Sequence, residues 1–537
     1  MSTPSSHPAL RATVTLVLGA LLAGIQVNAQ VPKPKNLEEL VTYMQAHHRA
    51  PFDRDGAVLP PGGQQMLMQQ LDKLGNPGMA TLAAAATPST NVKVNRDRNP
   101  WPKAEIGMAV DPLNGKNFVV MSNDFRENFD RQFFHVSTNG GAAWSDDVMV
   151  MGVDPITGFA PYSFQSDPGV AFDDKNQSYF SAIAGNLIFD FNVGYENVDT
   201  QVEEVQGFAG GTYASLLPNI VDNQICSGTS NFVCPAQLDK PLITADAIPG
   251  SPKNGTIYVY YTLFCNDEPC TDGSARVPPF SSAILESHAE GANLPFSPPA
   301  LVSGSFVQDQ FSSMVIDSHG TPHVFFDDFT DPTGVIKMRM STLKNGKWIV
   351  TSTPVAKFLY NGLNNLNWGF RDSGTVAPGC GIVSDTAYCA FSASQVAGGP
   401  LEGTPSVYLA VVNTLSGSST LHRVNDDAFG NGKHHFFPWA TGKNDGSVYV
   451  GWYDDRNDPF STKVQYFVGK STNRGNTFPT QQAVSSASFN PCVGFPGCGF
   501  FGDYTQLAAG PDGVVHAAWS DTRDGASMQI FTQAITW

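Results

Sequence analysis

Carboxylates standing beside arginine, lysine or tyrosine are the groups in this chain best suited to chemistry. Asp503-Tyr504, Tyr453-Asp454-Asp455-Arg456, Asp521-Thr522-Arg523, Asp124-Phe125-Arg126 and Arg371-Asp372 set opposite charges or a phenol within two residues of an acid. Glu105, Asp167 and Asp239 add further acidic positions, the last beside Lys240. Paired carboxylates act as acid and base in hydrolysis, while arginines and rings such as Trp101, Trp368 and Trp439 can hold sugar rings and acidic groups. The candidate catalytic groups are therefore Asp503, Tyr504, Asp454, Tyr453 and Glu105. The candidate substrate contacts are Arg371, Arg456, Arg523, Arg126, Asp167, Asp239 and Trp439. A structural reading competes: Asp at a strand end caps turn amides, and an Asp/Arg pair can tie neighbouring sheets together.

These residues recur because the chain itself recurs. Similar units begin near Glu105, Asp167, Asp239, Asp309, Asp372, Phe437 and Asp503, and self-similarity at a steady period marks a radial or solenoid array. Each unit holds a plain strand rich in aromatic and β-branched residues, at Phe118, Ser178, Thr256, His323, Ala387, Ser447 and Val514, with Gly/Asp turns on both sides. The expectation is an all-β, seven-bladed β-propeller, with six blades as the alternative, because sheets packed around an axis leave few open edges. The last unit is one strand short, and 91–95 can supply that strand and lock the ring. In such a blade the loop leading into the first strand and the loop joining the second to the third open on one face. The acidic and basic residues above, with Asp309, Asp327 and Asp328, then gather at a single mouth.

The termini, cysteines and charge bound the rest. Arg11 followed by an apolar run from Ala12 to Gly24 and the small residues Val27-Asn28-Ala29 reads as a secretory signal peptide, residues 1–29. Residues 30–90 carry helical spacing at Leu37, Leu40, Val41 and Met44 and read as a helical leader and linker, ahead of a propeller over 91–537. The eight cysteines form four close pairs: Cys226 with Cys234, Cys265 with Cys270, Cys380 with Cys389, and Cys492 with Cys498. In an exported chain such pairs read as local disulfides. None is Cys-x-x-Cys with histidines at ligand spacing, which argues against zinc. A formal net charge of -17 argues against nucleic acid as a partner. No stretch after the signal is long and apolar enough to cross a membrane as a helix. No cofactor is expected; calcium is a further reading, from the hard oxygens of Asp454-Asp455-Arg456-Asn457-Asp458, which lack EF-hand spacing.

Ser137-Thr138-Asn139-Gly140-Gly141-Ala142-Ala143-Trp144 and Ser471-Thr472-Asn473-Arg474-Gly475-Asn476-Thr477-Phe478 stand at the same place in their units, with degenerate copies at Ser341 to Trp348 and Ser287 to Phe296. They match a hairpin, Ser-x-Asp-x-Gly-x-Thr-Trp, with Asn for Asp. On these residues the chain resembles the sialidase-like Asp-box (BNR-repeat) β-propellers over roughly residues 95–537. The resemblance implies a secreted or periplasmic protein acting on a glycan or polysaccharide, by glycoside hydrolysis of an exo-sialidase-like kind, with Tyr504 or Tyr453 as nucleophile and Asp503 or Asp454 as its base. A polysaccharide lyase and a non-catalytic binding or adhesion propeller are the alternatives. The early Phe/Tyr-Arg-Ile-Pro motif of sialidases is absent, since the equivalent region reads Asn99-Pro100-Trp101-Pro102-Lys103-Ala104-Glu105. Convergence of three arginines in one cavity would favour an enzyme acting on acidic sugars, and dispersal around the rim would favour binding.

Overall fold

A computed structural model describes residues 90–537, apart from 98–99, 127–129, 146–147, 150–163, 191–193, 210–211, 214–218, 226–235, 266–268, 274 and 292–293. The expected signal peptide and nearly all of the leader lie outside the described residues. So do Cys226 and Cys234, the first of the four expected cysteine pairs. The regular structure of the described residues is all strand apart from two short 3-10 turns at Ser373–Val376 and Pro496–Cys498.

The strands form a β-propeller. Its antiparallel sheets follow one another along the chain, and their inner strands are Lys103–Val110, Phe164–Phe172, Ala236–Ala245, Asp309–Ile316, Gly379–Val383, His435–Gly442 and Gln506–Ala509. Each inner strand packs beside the next, and the last packs beside the first. In the second sheet, the outer strands Gly194–Ala209 and Asn219–Ile225 are described mainly by their backbone. The second strands, among them Phe118–Asp124, Pro322–Asp328, Val448–Asp454 and Val515–Asp521, are buried at every position. Burial on both faces is why they read as continuous apolar and aromatic runs.

Large rings fill the wedges between sheets. Tyr466 of the sixth sheet stacks on Trp519 of the last, centroids 5.1 Å apart and planes within 3°, a pair worth about 0.5–1.5 kcal/mol beyond its buried area. The ring closes as the sequence expects. Val92–Lys93 pairs antiparallel with Gln529–Ile535, Val92 opposite Thr532, and supplies the outermost strand of the last sheet. Val94 N donates to Ile530 O at 2.9 Å, and buried Asn95 accepts from Ile530 N at 3.0 Å.

The hairpins at Ser137 and Ser471 owe their shape to side-chain to backbone bonds. Gly141 N and Gly475 N each donate to the serine hydroxyl at 2.9 Å, while Asn139 Oδ1 and Asn473 Oδ1 accept from Ala143 N and Thr477 N. Gly141 and Gly475 sit at φ 83° and 82°, which favours glycine. Trp144 and Phe478 close the hairpins as buried plugs.

Candidate functional site

Five inner strands carry the same defect at the same level. A β-bulge interrupts pairing between Ala104 and Ile106, Ser166 and Gly169, Asp239 and Leu242, Gln310 and Ser312, and Phe436 and Trp439. In each bulge one non-glycine residue takes a left-handed backbone: Glu105 (φ 55°), Asp167 (56°), Lys240 (47°), Phe311 (57°) and Phe437 (51°). Such conformations cost on the order of 1–3 kcal/mol each and persist only where the surroundings over-determine them. The bulges turn Glu105, Asp167 and Lys240 toward one another, and irregular segments bring Arg371 and Asp503 to the same place.

The centre of the cluster is Asp503. Its Oδ2 accepts from Lys240 Nζ at 2.5 Å and from Arg371 Nη2. Glu105 Oε1 lies 3.7 Å from Lys240 Nζ and 3.9 Å from Arg371 Nη2. Asn123 fixes Glu105 from behind, its Nδ2 donating to Oε2 at 2.6 Å, while its Oδ1 accepts from Asp167 N at 2.9 Å. Asp167 Oδ2 accepts from Lys240 N at 3.2 Å, and Asp239 Oδ2 accepts from Gln310 Nε2 at 3.2 Å. Both oxygens of Asp167 are engaged, Oδ1 by the Ser166 hydroxyl at 3.3 Å, whereas Glu105 and Asp503 each keep one oxygen without a hydrogen bond. Among the described residues, Glu105 Oε1 and Asp503 Oδ1 have no hydrogen-bond partner, although both are buried. Solvent reaches the cluster past Arg371, whose side chain is 27% exposed, and Lys240, at 10%.

Burial and charge drive these acids apart. Burial first, and then the Asp167 charge, push the Glu105 carboxyl well above its ordinary range. The same two causes push Asp239 up to about 7. Burial also works against the Asp503 anion, but Arg371 and Lys240 outweigh it and hold Asp503 below the ordinary carboxylate value. Burial opposes the Lys240 charge too, and Asp503 and Glu105 more than compensate.

Of the sequence candidates, Asp503, Tyr504, Glu105, Arg371, Asp167 and Asp239 come together here. Tyr504 donates its hydroxyl to Pro168 O at 3.2 Å and its ring lies 5.3 Å from Lys240 Nζ. Burial, then Glu105, raise its pKa well above 10.0, so it is no ready phenolate. Tyr453, Asp454, Arg456, Arg523, Arg126 and Trp439 serve elsewhere. Tyr453 is buried between the sixth and last sheets, donating to Ser520 O at 3.0 Å and accepting from Ser520 N at 2.9 Å. Trp439 lies against the fifth sheet's inner strand, where a Cβ at Gly379 would come within 3.0 Å of its ring.

The three rim arginines repeat one device. Asp124, Asp454 and Asp521 each accept from the backbone N of the residue two ahead, Arg126, Arg456 or Arg523, and ion-pair with its guanidinium. The arginine then lies over a ring of its own sheet, Phe133, Phe467 or Phe531. Trp452 Nε1 and Trp519 Nε1 complete the arrangement on Asp454 and Asp521, at 2.7 and 2.9 Å. Each also reaches beyond its own sheet, Arg126 to Asp97, Arg456 to Asp426 and Arg523 to Asn91 and Ser486, so the three arginines are dispersed around the ring and tie neighbouring segments together.

The acidic run read for calcium is likewise occupied by protein donors. Asp455 accepts from His434 N and faces His434 Nδ1 at 2.6 Å, and Asp458 accepts from Thr462 N and Lys463 N. Among the described residues Asp317, His319 and Asp385 bring potential metal-binding atoms together. Asp317 already accepts from His319 N and Thr321 N and faces His323 Nε2 at 3.0 Å.

Sequence reasoning placed Lys240 at the mouth without a role, and it missed Asn123. Neither carries a local signal, because what selects them is a bulge and a cross-strand bond. Three of the four expected cysteine pairs are disulfides: Cys265–Cys270, Cys380–Cys389 and Cys492–Cys498. The fourth expected bridge, between Cys226 and Cys234, falls outside the described residues and is not among them.

No protein-family model matches the chain, and comparison with curated proteins finds no match. Solved structures similar to it include a protein of unknown function from Dyadobacter fermentans, 12% identical over 68% of this chain and 93% of that one, TM-score 0.41. An α-L-arabinofuranosidase from Fusarium graminearum is 10% identical over 83% and 97%, TM-score 0.40. A leech intramolecular trans-sialidase is 9% identical over 86% and 72%, TM-score 0.40. Likeness at this level carries no argument about activity.

Proposed function

We propose that this protein hydrolyses glycosidic bonds, with Glu105 as acid and Asp503 as the ionised partner. The observation that carries the reading is the pair of oxygens without hydrogen bonds, Glu105 Oε1 and Asp503 Oδ1, on two carboxyls that share Lys240 and Arg371 yet have their pKa values driven in opposite directions. Carboxyls with pKa values pushed apart are the arrangement that acid and base roles require. Glu105 gives its proton to the glycosidic oxygen as the bond to the sugar carbon breaks, and Asp503 stabilises the positive charge that develops there. Water then supplies the hydroxyl, and its proton restores Glu105. Lys240 and Arg371 hold Asp503 ionised, and Asn123 orients Glu105 through its other oxygen.

The chain is further read as a seven-bladed, exported member of the Asp-box propellers, with Cys226 and Cys234 as a fourth local bridge. Support comes from the cyclic order of the inner strands, the serine-anchored hairpins and the described disulfides, which persist in oxidising compartments. A tyrosine nucleophile has less support, given the hydroxyl bonds of Tyr504 and Tyr453 to backbone carbonyls. The second reading is a non-catalytic carbohydrate-binding wheel, favoured by the dispersal of Arg126, Arg456 and Arg523. Incubating purified protein with sialosides and with plant and bacterial polysaccharides tests the choice. New reducing ends support hydrolysis; retention on a glycan with no product supports binding alone; an ultraviolet-absorbing unsaturated product would indicate a lyase.

A further inference from the structure

Beside the Arg371 edge of the cluster the chain folds back into a hollow of about 520 Å³, whose lining includes Leu363, Asn364, Leu366, Trp368, Phe370 and Asp372. The volume lies within the usual range for small-ligand sites, roughly 300–1,000 Å³. Its walls are held in advance. Asn365 and Asn367 side chains donate to Ser461 O at 2.8 and 3.3 Å, and Gly369 N donates to Cys498 Sγ of the Cys492–Cys498 disulfide at 3.3 Å. Trp368 packs on Phe370, Phe436 and His434 with centroids 5.7, 5.6 and 5.1 Å away. A preformed wall lowers the ordering cost of binding.

Two features define what fits. The indole N–H of Trp368 is shielded from solvent and has no acceptor among the described residues, in a wall that otherwise combines rings, a fully exposed Leu366 and amide groups. That N–H lies behind the surface, so what the hollow presents is its rings, Leu366 and amide groups, which suit a ligand with an apolar face and hydroxyls. The charge disfavours an acidic ligand: among the described residues no lysine or arginine lines the hollow, its charged member is Asp372, and adjoining Arg371 is held by Asp503. We infer that this hollow is a subsite for an uncharged sugar residue of a longer glycan, so that the chain running through the site is a neutral polysaccharide. This rests on the hydrolase reading for the neighbouring cluster, while the subsite itself is defined by binding.

Titration calorimetry on the full chain provides the test, with hexasaccharides of arabinose, glucose and mannose and a galacturonate hexamer as probes. A neutral hexasaccharide binds and the galacturonate binds at least about tenfold more weakly, a difference of about 1.4 kcal/mol. Trp368→Ala weakens the neutral ligand by about tenfold, the usual scale for a buried aromatic anchor. Leu366→Asp, at an exposed position where folding is not at stake, weakens it as well, whereas Arg456→Ala, away from both the cluster and the hollow, leaves affinity nearly unchanged. Tighter binding of galacturonate, no binding by any neutral hexasaccharide, or an unchanged affinity in both hollow variants overturns the inference. Neutral binding that depends on Trp368 without any cleavage would leave the subsite standing and remove the hydrolase reading. Cleavage by a Trp368→Ala protein with unaltered KM and affinity would do the reverse.

Discussion

Glu105 and Asp503 share two cations and nevertheless have their pKa values driven in opposite directions, Glu105 up by burial and Asp503 down by Arg371 and Lys240, and the pH dependence of activity follows from that. Hydrolysis needs Asp503 ionised and Glu105 protonated. The acid limb of the rate profile therefore lies below the ordinary aspartate value of 3.8, and the alkaline limb above the ordinary glutamate value of 4.5. Glu105→Gln removes the proton donor and lowers kcat by about 10²–10⁴-fold. Stability has its own sign. Burial, ahead of the other causes, pushes Asp309 up to about 8, and both its oxygens lack partners among the described residues. An acid raised in this way stabilises fully below its unfolded value of 3.8, and that contribution is lost as pH rises through about 8. Asp503 runs the other way, its contribution present above 3.8 and lost as pH falls through its depressed value. Melting temperature should thus fall between pH 5 and 9, and Asp309→Asn should flatten the fall, with a gain of about 2 °C or more at the alkaline end. An unchanged slope in that variant would show that Asp309 ionises without cost. Asp309 stands opposite Asp328 where Lys103 stands opposite Asp124 and His435 opposite Asp454, so it interrupts a cation position of the repeat.

At the scale of elements, the bulges and the rim pairs divide the charged residues between two tasks. The bulged inner strands carry the site, and the Asp-x-Arg loops hold the sheets. Arg456→Ala should lower stability by about 1–3 kcal/mol, the usual cost of breaking a partly buried ion pair and its ring contact, and leave activity within about twofold. Thermal melts and initial rates read the two effects separately. The second strands were legible because Phe118–Asp124 or Val448–Asp454, buried on both faces, must be apolar and aromatic. The bulges were not, since left-handed residues usually announce themselves as glycine, whereas here Glu105, Asp167, Lys240, Phe311 and Phe437 occupy them. The arginines are ambiguous in the sequence for a related reason. An arginine two residues after an aspartate is close enough to satisfy it, so Arg126, Arg456 and Arg523 looked like substrate ligands while bonding to their own neighbours.

At the scale of the whole molecule, a segment remote in sequence completes the ring. Asn91 Nδ2 donates to Val484 O at 2.7 Å, and Asn95 Nδ2 donates to Gln529 Oε1 at 2.5 Å, so the segment touches both the sixth and last sheets. Asn95→Ala should cost about 1–3 kcal/mol by stranding buried partners, and a chain begun after residue 97 should melt lower still. Equal melting of the shortened and full-length proteins would mean that the ring closes without this strand. Closure was legible because the last unit visibly lacked a strand. The convergence of Glu105, Asp167, Lys240, Arg371 and Asp503 was legible only as a shared mouth, since their mutual bonds depend on how neighbouring sheets are set around the axis.

The most direct measurement compares release of reducing sugar, from the glycan panel, by the native protein, Glu105→Gln and Arg456→Ala. The native protein and the Arg456 variant should release product at similar rates while the Glu105 variant is nearly silent. Product release undiminished in Glu105→Gln, or absent from the native protein on every glycan, would contradict the account.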